Sequence, residues 1–557
     1  MPPSHPLRPS PRPRAGRSAP STKWGALLCV FALAGCRSVE EQRADADREV
    51  YDLIAERRAQ FVADPGDFTI DPDTQSLASA YVQGPLGASR SMGPFSLAES
   101  LTLAGAQDSS VMTRKERLYT AALDLTFQRF LFRNRRFIGG GADLLGDGAE
   151  ASAASADVTA GFNRVIGTGG DVLANIGLSI FRGLLSSEGW DPVSNVGLSI
   201  TQPLLQGYGR RIAFEPLTQS ERNLLYEVRS YERFRRTFAF EVANAYLQIL
   251  RSYDQLRNAQ ANFDGLKALR ERNEALASAG RLSDIQVDQA RQNELAAQSN
   301  VINVQQQIQG QLDDYKDVLG LPVSVDLLLD QGELMRLREL GVERVEIDSQ
   351  FAIRLALENR HDYQNALGSI VDAERRARIA ADALRTTLDL VIDLDAASEP
   401  GEPLVYTKDG FDWSVGFQID SAIDRVGQRN NYRNALIDLQ ATTRAANDLK
   451  QIISISIRDQ LRQLEARRQD FEIQSNSVQL AERRVESTTL NFEAGRAQTR
   501  DLLEAQDDLL AARNSLTRSL VDYRIALWAL FRDLELLQVD ESGLGVDLAV
   551  FVSEELQ

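Results

Sequence analysis

Two long stretches of this chain place apolar residues three and four apart on an otherwise charged surface. In the first, Val228, Tyr231, Phe234, Phe238, Val242, Ala245, Ile249, Leu256, Phe263 and Leu266 form a narrow seam. That is the pattern of a helix that buries one stripe and leaves the rest wet. A helix from Leu217 to Ala279 would reach roughly 90 Å at the usual rise per residue. The pattern breaks at Ala279-Gly280-Arg281. Val301, Val304, Ile308, Leu312, Tyr315 and Leu319 then continue the seam until Gly320-Leu321-Pro322 ends it. The second stretch, Tyr432 to Glu493, breaks at the same tripeptide, Ala494-Gly495-Arg496. Its return partner carries Leu509, Ala512, Leu516, Leu520, Tyr523, Leu527, Leu530 and Leu534. Glycine tolerates the left-handed conformation that ends a helix, so each tripeptide predicts the tip of an antiparallel helical hairpin. Ala290, Leu295, Ala296 and Ala297 recur in register as Ala505, Leu510, Ala511 and Ala512. The chain therefore reads as an internal twofold repeat.

Upstream of each long helix the period changes. Ser100 to Ala104 opens a helix towards about Tyr119, and Ala121 to Phe132 alternates apolar and polar, which predicts a strand. Arg133 to Gly170 is rich in Gly, Ala, Ser and Asp and reads as a solvent loop. Within and after it, Asp157 to Ile166 and Val172 to Phe181 predict a hairpin around Gly167-Thr168-Gly169-Gly170. Val193 to Pro203 is a further strand, entered through Trp190. In the second half, Ala352 to Ala356 echoes the early helix, Leu388 to Leu394 the first strand, and Val415 to Ile419 the segment Val196 to Ile200, with Trp413 beside it. The first repeat is about 33 residues longer between these landmarks, which is where the additional hairpin falls. Strands of about ten residues with alternating polarity suit a transmembrane barrel, and flanking Trp190 and Trp413 suit its aromatic girdle. An ordinary antiparallel sheet domain is the other reading of the same pattern.

Composition narrows the chemistry. His5 and His361 are the only histidines, and Cys29 and Cys36 the only cysteines, which leaves no material for a histidine-based triad, a zinc cluster or a disulfide framework. No catalytic residue, metal ligand or cofactor site is expected. Arg8, Arg12, Arg14, Arg17 and Lys23 precede an apolar run from Trp24 to Gly35, the layout of a secretory signal too short to span a membrane. Leu33-Ala34-Gly35-Cys36 looks like a bacterial lipobox, which predicts a covalent lipid (palmitate among its acyl chains) on Cys36. Arg37 after it favours sorting to the outer membrane. Removing those five basic residues makes a chain of net charge −17 more acidic still, against nucleic-acid binding.

The lipobox, the doubled order of helix, strand, strand, helix, tip and helix, the Gln202-Pro203-Leu204-Leu205 approach to the long helix and the two glycine tips together resemble the TolC family of outer-membrane efflux ducts. The resemblance covers about 95–537. It implies an α+β membrane protein: a homotrimer sharing a 12-stranded transmembrane β-barrel, four strands per chain, continued by a long periplasmic α-helical coiled-coil barrel. It divides the chain into a signal peptide (1–35), a tether (36–94), a first repeat (95–321), a connector (322–349), a second repeat (350–537) and an acidic tail (538–557). Two strands per repeat are too few for a barrel on their own, so oligomerisation would be obligatory. By the same resemblance Asp501 and Glu504, three apart on one helical face, would form an acidic ring at the periplasmic gate. As residues alone they are equally ordinary acids on a solvated helix. Gly280, Arg281, Leu282, Gly495, Arg496 and Ala497 would meet a periplasmic adaptor protein that links the duct to an inner-membrane transporter. Arg281 and Arg496 are read equally well as helix-terminal charges facing carbonyls. The function implied is passive exit from periplasm to exterior, not catalysis. A periplasmic coiled-coil lipoprotein without a pore is the competing reading.

Overall fold

The computed structural model describes residues 37–61, 68–71, 91–147, 150–184, 189–540 and 543–546. The expected signal segment 1–35 and the expected lipidation site Cys36 lie outside the described residues. Helix α1 (Val39–Arg58) comes first, within the segment read as a tether. Strand β1 (Ser91–Phe95), helices α2 (Leu97–Gln107) and α3 (Ser109–Leu131), and strands β2 (Arg135–Asp147), β3 (Glu150–Val165), β4 (Asp171–Gly183) and β5 (Asp191–Pro203) follow. A short α4 (Arg210–Ala213) leads into α5 (Glu215–Ser278), which turns back as α6 (Asp284–Val318). The connector holds β6 (Asp326–Leu329) and α7 (Gly332–Leu340). The second repeat then supplies α8 (Ser349–Asn359), α9 (His361–Asp382), β7 (Thr387–Glu399), β8 (Glu402–Asp420), α10 (Val426–Glu493) and α11 (Thr499–Asp533). A hairpin of β9 (Leu537–Asp540) and β10 (Gly543–Val546) opens the acidic tail.

The long helices are where the seam put them, at 64 residues for α5 and 68 for α10. Both tip glycines are left-handed, Gly280 at φ 71° and Gly495 at φ 69°. The amides of Gly280 and Arg281 donate to Ala277 and Leu276 carbonyls, and those of Gly495 and Arg496 to Phe492 and Asn491. This closes each helix with the carbonyl-satisfying turn that glycine permits. Among the described residues no helix is long and apolar enough to cross a membrane.

Three expectations fail. Ala121 to Phe132 is not a strand but the end of α3. Leu118, Ala122 and Leu125 are buried at helical spacing against Leu224, Val228 and Tyr231 of α5, and the local alternation of Leu123, Leu125 and Phe127 is incidental, with Phe127 more than half exposed. Asp108 breaks the early helix in two: in extended conformation it caps α3, accepting from the amides of Ser110 and Val111. Arg133 to Gly170 is not mainly a solvent loop, since β2 and β3 occupy most of it; the hairpin expected from Asp157 to Ile166 and Val172 to Phe181 is present as β3 and β4. Four strands per chain is also too few. One antiparallel sheet runs β2-β3-β4-β5-β7-β8, so each chain supplies six strands to it, not four. Glycine-rich, small-residue strands look like loops in sequence because their side chains carry little pattern.

Below the sheet, α2, α8 and the β1–β6 pair wrap the middle of the long helices around one apolar core. Tyr246, Tyr315, Tyr523 and Phe531 are fully buried there. Beside it lies a set of buried ion pairs that no sequence pattern announced. Arg58 of α1 donates to Glu232 at 2.7 Å, and Arg233 and Arg236 of α5 converge on Glu535 at 2.6 and 2.9 Å. Burial pushes the Asp533 carboxyl up, but Arg532, Gln460 and Arg360 together more than offset this and hold it below the usual range. His361 lies among these charges with neither ring nitrogen hydrogen-bonded, its ring 5.4 Å from that of Phe61 and 3.8 Å from the Glu535 carboxylate. Burial, opposed by Glu535, pushes its pKa down.

Two outcomes are expected. Arg58→Ala leaves the buried Glu232 carboxylate to Arg235 alone, at 3.1 Å, and should cost up to about 3 kcal/mol in chemical denaturation, whereas Arg58→Met with Glu232→Leu should cost less. Burial lowers the His361 pKa in the folded chain, so the unfolded chain binds more protons at this group and stability falls as pH drops below about 6.5. His361→Phe should flatten the decline of Tm between pH 7 and 5, and an unchanged slope would assign that decline to other groups.

Candidate functional site

The sheet has two chemically distinct faces, which follow from strand alternation and the observed register. One face carries Leu388, Leu390, Ile392 and Leu394 of β7 opposite Ile419, Phe417, Val415 and Trp413 of β8. Leu198 and Ile200 of β5 continue it, then Ala174 and Val172 of β4. These apolar groups face outward: Trp413 is 68% exposed and Phe417 67%. Solvent-exposed aromatic and β-branched side chains in continuous rows are unusual unless something apolar covers them. The opposite face carries Asp389, Asp393, Asp395, Asp412, Ser414 and Gln418, with Asn175, Asn195 and Ser199 beside them. Asp393 accepts hydrogen bonds from Ser199 at 2.7 Å and from Ser414 at 3.2 Å. Gly177 and Gly197 lie where a Cβ would strike the Asn195 and Asn175 side chains, so the polar row is packed with no room for a larger residue.

Of the two girdle candidates, Trp413 sits in the row of Leu394 and Leu198, whereas Trp190 precedes β5 under the guanidinium of Arg182. They are separated by roughly 25 Å of strand and do not share one level.

At the far end of the helices the two tips are locked together. Leu266 and Leu269 of α5, Ala297 of α6, Phe492 of α10, and Leu502 and Leu503 of α11 form one buried cluster. The Asn273 amide donates to the Thr499 hydroxyl at 3.1 Å, both groups fully buried, and Arg272 bridges to Glu493 at 3.1 Å across Phe492. Gly280, Arg281, Gly495 and Arg496 are exposed, and Leu282 and Ala497 half-buried. Among the described residues neither Arg281 nor Arg496 pairs its guanidinium with a carboxylate or a carbonyl.

Asp501 and Glu504 are both exposed on one face of α11, and each has a local partner. Asp501 accepts from the Gln498 amide at 2.9 Å and so caps the helix. Glu504 pairs with Arg484 of α10 at 2.9 Å, and Arg484 also meets Asp508. Hydrogen bonding by Glu504 raises the Arg484 pKa. Arg484 is the partner that sequence reasoning missed, because it lies across the hairpin, twenty residues upstream of Glu504. Among the described residues no three His, Cys, Asp or Glu side chains are placed to hold a metal ion.

Residues 152–320 match the family model described as outer membrane efflux protein. No curated protein sequence matches the chain. Its fold is similar to that of the outer-membrane channel OprN, with a TM-score of 0.56 and 16% identity over 79% of this chain and 89% of that one. It is similar to the outer membrane protein VceC of Vibrio cholerae, with a TM-score of 0.57 and 16% identity over 79% of this chain and 95% of that one. The CmeC outer membrane channel of Campylobacter jejuni gives a TM-score of 0.57 and 14% identity over 82% and 89%. Residues 152–320 thus match the outer membrane efflux protein model, and the described chain shares its fold with these outer-membrane channels.

Proposed function

We propose that this chain is the exit duct of a tripartite export system, passively conducting cargo from periplasm to exterior through a homotrimer. The observation that carries the reading is the two-faced sheet joined directly to long helical hairpins. An exposed apolar face suits lipid, and the acidic face behind it suits a water-filled passage. Three copies are supported by the lateral edges of the helical layer. The four long helices lie in the order α6, α5, α11, α10. The outer helices present unpartnered apolar side chains: Ile285, Leu295 and Ile302 on α6, and Ile437, Ile452, Ile455, Ile473 and Leu480 on α10. The five on α10 fall on one stripe at helical periodicity, as a helix packing against a neighbouring copy requires.

A lipid on Cys36 is supported by the course of α1. Asp47 meets Tyr119 of α3, and α3 rises twelve residues further to the sheet, roughly 18 Å. From Asp47 back to Ser38 is nine residues, roughly 13 Å in the same direction. The helix therefore returns its N-terminus to within roughly 5 Å of the level where the strands begin, and Ser38 starts it with a complete capping box. An acyl chain two residues earlier would reach the inner leaflet of the outer membrane. The unpaired Arg281 and Arg496 at exposed tips suit contact with the helical hairpins of an adaptor protein, itself coupled to an inner-membrane transporter that supplies the energy. Asp501 and Glu504 are exposed at the same end, where three copies would set a ring of six carboxylates, moderated by Arg484.

Purified protein in planar bilayers is expected to form a cation-selective pore. Asp501→Asn with Glu504→Gln, which preserves hydrogen bonding while removing charge, should weaken that selectivity. Unchanged selectivity would move its source to the aspartates of β7 and β8. Absence of any pore from folded trimer would replace the duct with a structural lipoprotein. Arg281→Glu with Arg496→Glu is expected to abolish export in cells while leaving trimer formation and bilayer conductance intact. Normal export in that variant would remove the tips from the adaptor contact.

A further inference from the structure

The sheet holds two strands per chain more than a twelve-stranded barrel shared by three copies can use. Building on the three-copy duct reading, we propose that all six strands enter the shared barrel. Three copies then close eighteen strands, with β8 of one copy pairing antiparallel with β2 of the next.

The additional strands are continuous with the others. β3 and β4 pair from Ala153–Gly183 to Val165–Asp171 without a register shift, and β4 pairs with β5 in the same unbroken way. They also carry the same outward apolar face. Phe162, Ala174, Leu198, Leu394 and Trp413 form one apolar row across β3 to β8, ended on β2 by Arg136, and Ile138, Ala160, Ile176, Val196, Ala396 and Phe411 form the next across all six strands. Ile138 is 68% exposed and Ile176 56%, matching Val415 at 56%. An extension standing in water above the membrane, or a plug inside the lumen, has no use for such a band. On β2 to β4 charge bounds the band, Arg136 and Arg164 towards the helices and Arg182 towards the outer loops, while on β5, β7 and β8 it runs on towards the helices through Ile200, Leu390 and Phe417. The ten residues of β3 between Arg164 and Ala154, the partner of Arg182, span about 33 Å of strand. At a tilt near 40° this is about 25 Å of height, the thickness of the apolar band on outer-membrane barrels.

The edges supply the junction. Each of β2 and β8 has a strand on one side alone. In lipid every backbone group must be paired, and six strands are too few to close on themselves. β2 runs away from the helices and β8 runs back towards them, so adjacent copies meet in the antiparallel sense that the rest of the sheet uses. The consequence is a mouth about 1.5-fold wider than twelve strands would give, because barrel diameter grows roughly linearly with strand number. The helical part keeps four long helices per copy. Cargo size would be restricted at the periplasmic tips, and the outer-membrane segment would pass bulkier solutes than a twelve-stranded mouth.

Cysteine cross-linking in outer membranes tests this. Cysteines at the polar-face positions Ser414, Gly416 and Gln418 of β8 are paired with cysteines at Phe137, Gly139 or Gly141 of β2, with Cys36 kept as the acylated anchor. Gly139 and Gly416 have open space where a Cβ would be added, so these two variants are expected to fold normally. The expected result is oxidant-dependent β8–β2 cross-links between copies, in a ladder that ends at three. Cross-links from β8 to Asn175→Cys or Ser179→Cys of β4 instead would show a twelve-stranded barrel with β2 and β3 outside it, and would overturn the proposal. Cross-linking at neither place in folded trimers would overturn it as well. A β8–β2 ladder ending at two copies would overturn the three-copy reading, and the strand number with it, while leaving the junction itself.

Discussion

The two halves of this chain depend on one seam, the contact between α5 and α11. Each repeat buries one stripe of its own helical hairpin, and only at this seam do the two hairpins meet over their length. Apolar burial supplies the attraction, and buried polar groups fix the register. Near the tip it is Asn273 on Thr499. Further up, Asp254, almost fully buried, accepts from Thr517 of α11 and from Arg338 of α7. At the sheet end, Arg233 and Arg236 hold Glu535, which stands in a left-handed conformation at φ 60°. A low-dielectric site makes such groups costly when unpaired, so sliding one hairpin past the other by a turn would break all three sites together.

That rigidity is transmitted to the sheet through short connections. β5 passes into α5 by way of Gly207 and Gly209, both left-handed, and the Gly207 amide donates to Asp382 at the end of α9. Arg425 at the start of α10 reaches back to Leu384 and Thr386 at the start of β7. The strands of the two repeats then join directly, β5 on β7, so the sheet and the helical layer are each continuous across the duplication.

The corrections to the sequence reading share a cause. A strand with one apolar and one polar face alternates, but the contrast fades where its side chains are small. In β2 and β3 that leaves Gly, Ala, Ser and Asp, the composition of a loop. The end of α3 misled in the opposite way, because four or five alternating residues fit both periods. Only the distant partners Leu224 and Val228 choose between them. The buried ion pairs were illegible for a similar reason: Arg58 and Glu232 lie on separate elements far apart in sequence, and neither has a local motif.

The sequence by itself determined what is periodic and local. It set the two long hairpins, their glycine tips and the apolar strand of β7, because helix seams and left-handed caps are written within a few turns of chain. Tertiary structure decided what depends on partners remote in sequence. It decided that six strands, not four, share one sheet, since strand membership is settled by edge pairing. It gave Asp501 a capping role and Glu504 an arginine partner, since a carboxylate's surroundings are set by whichever chain folds against it.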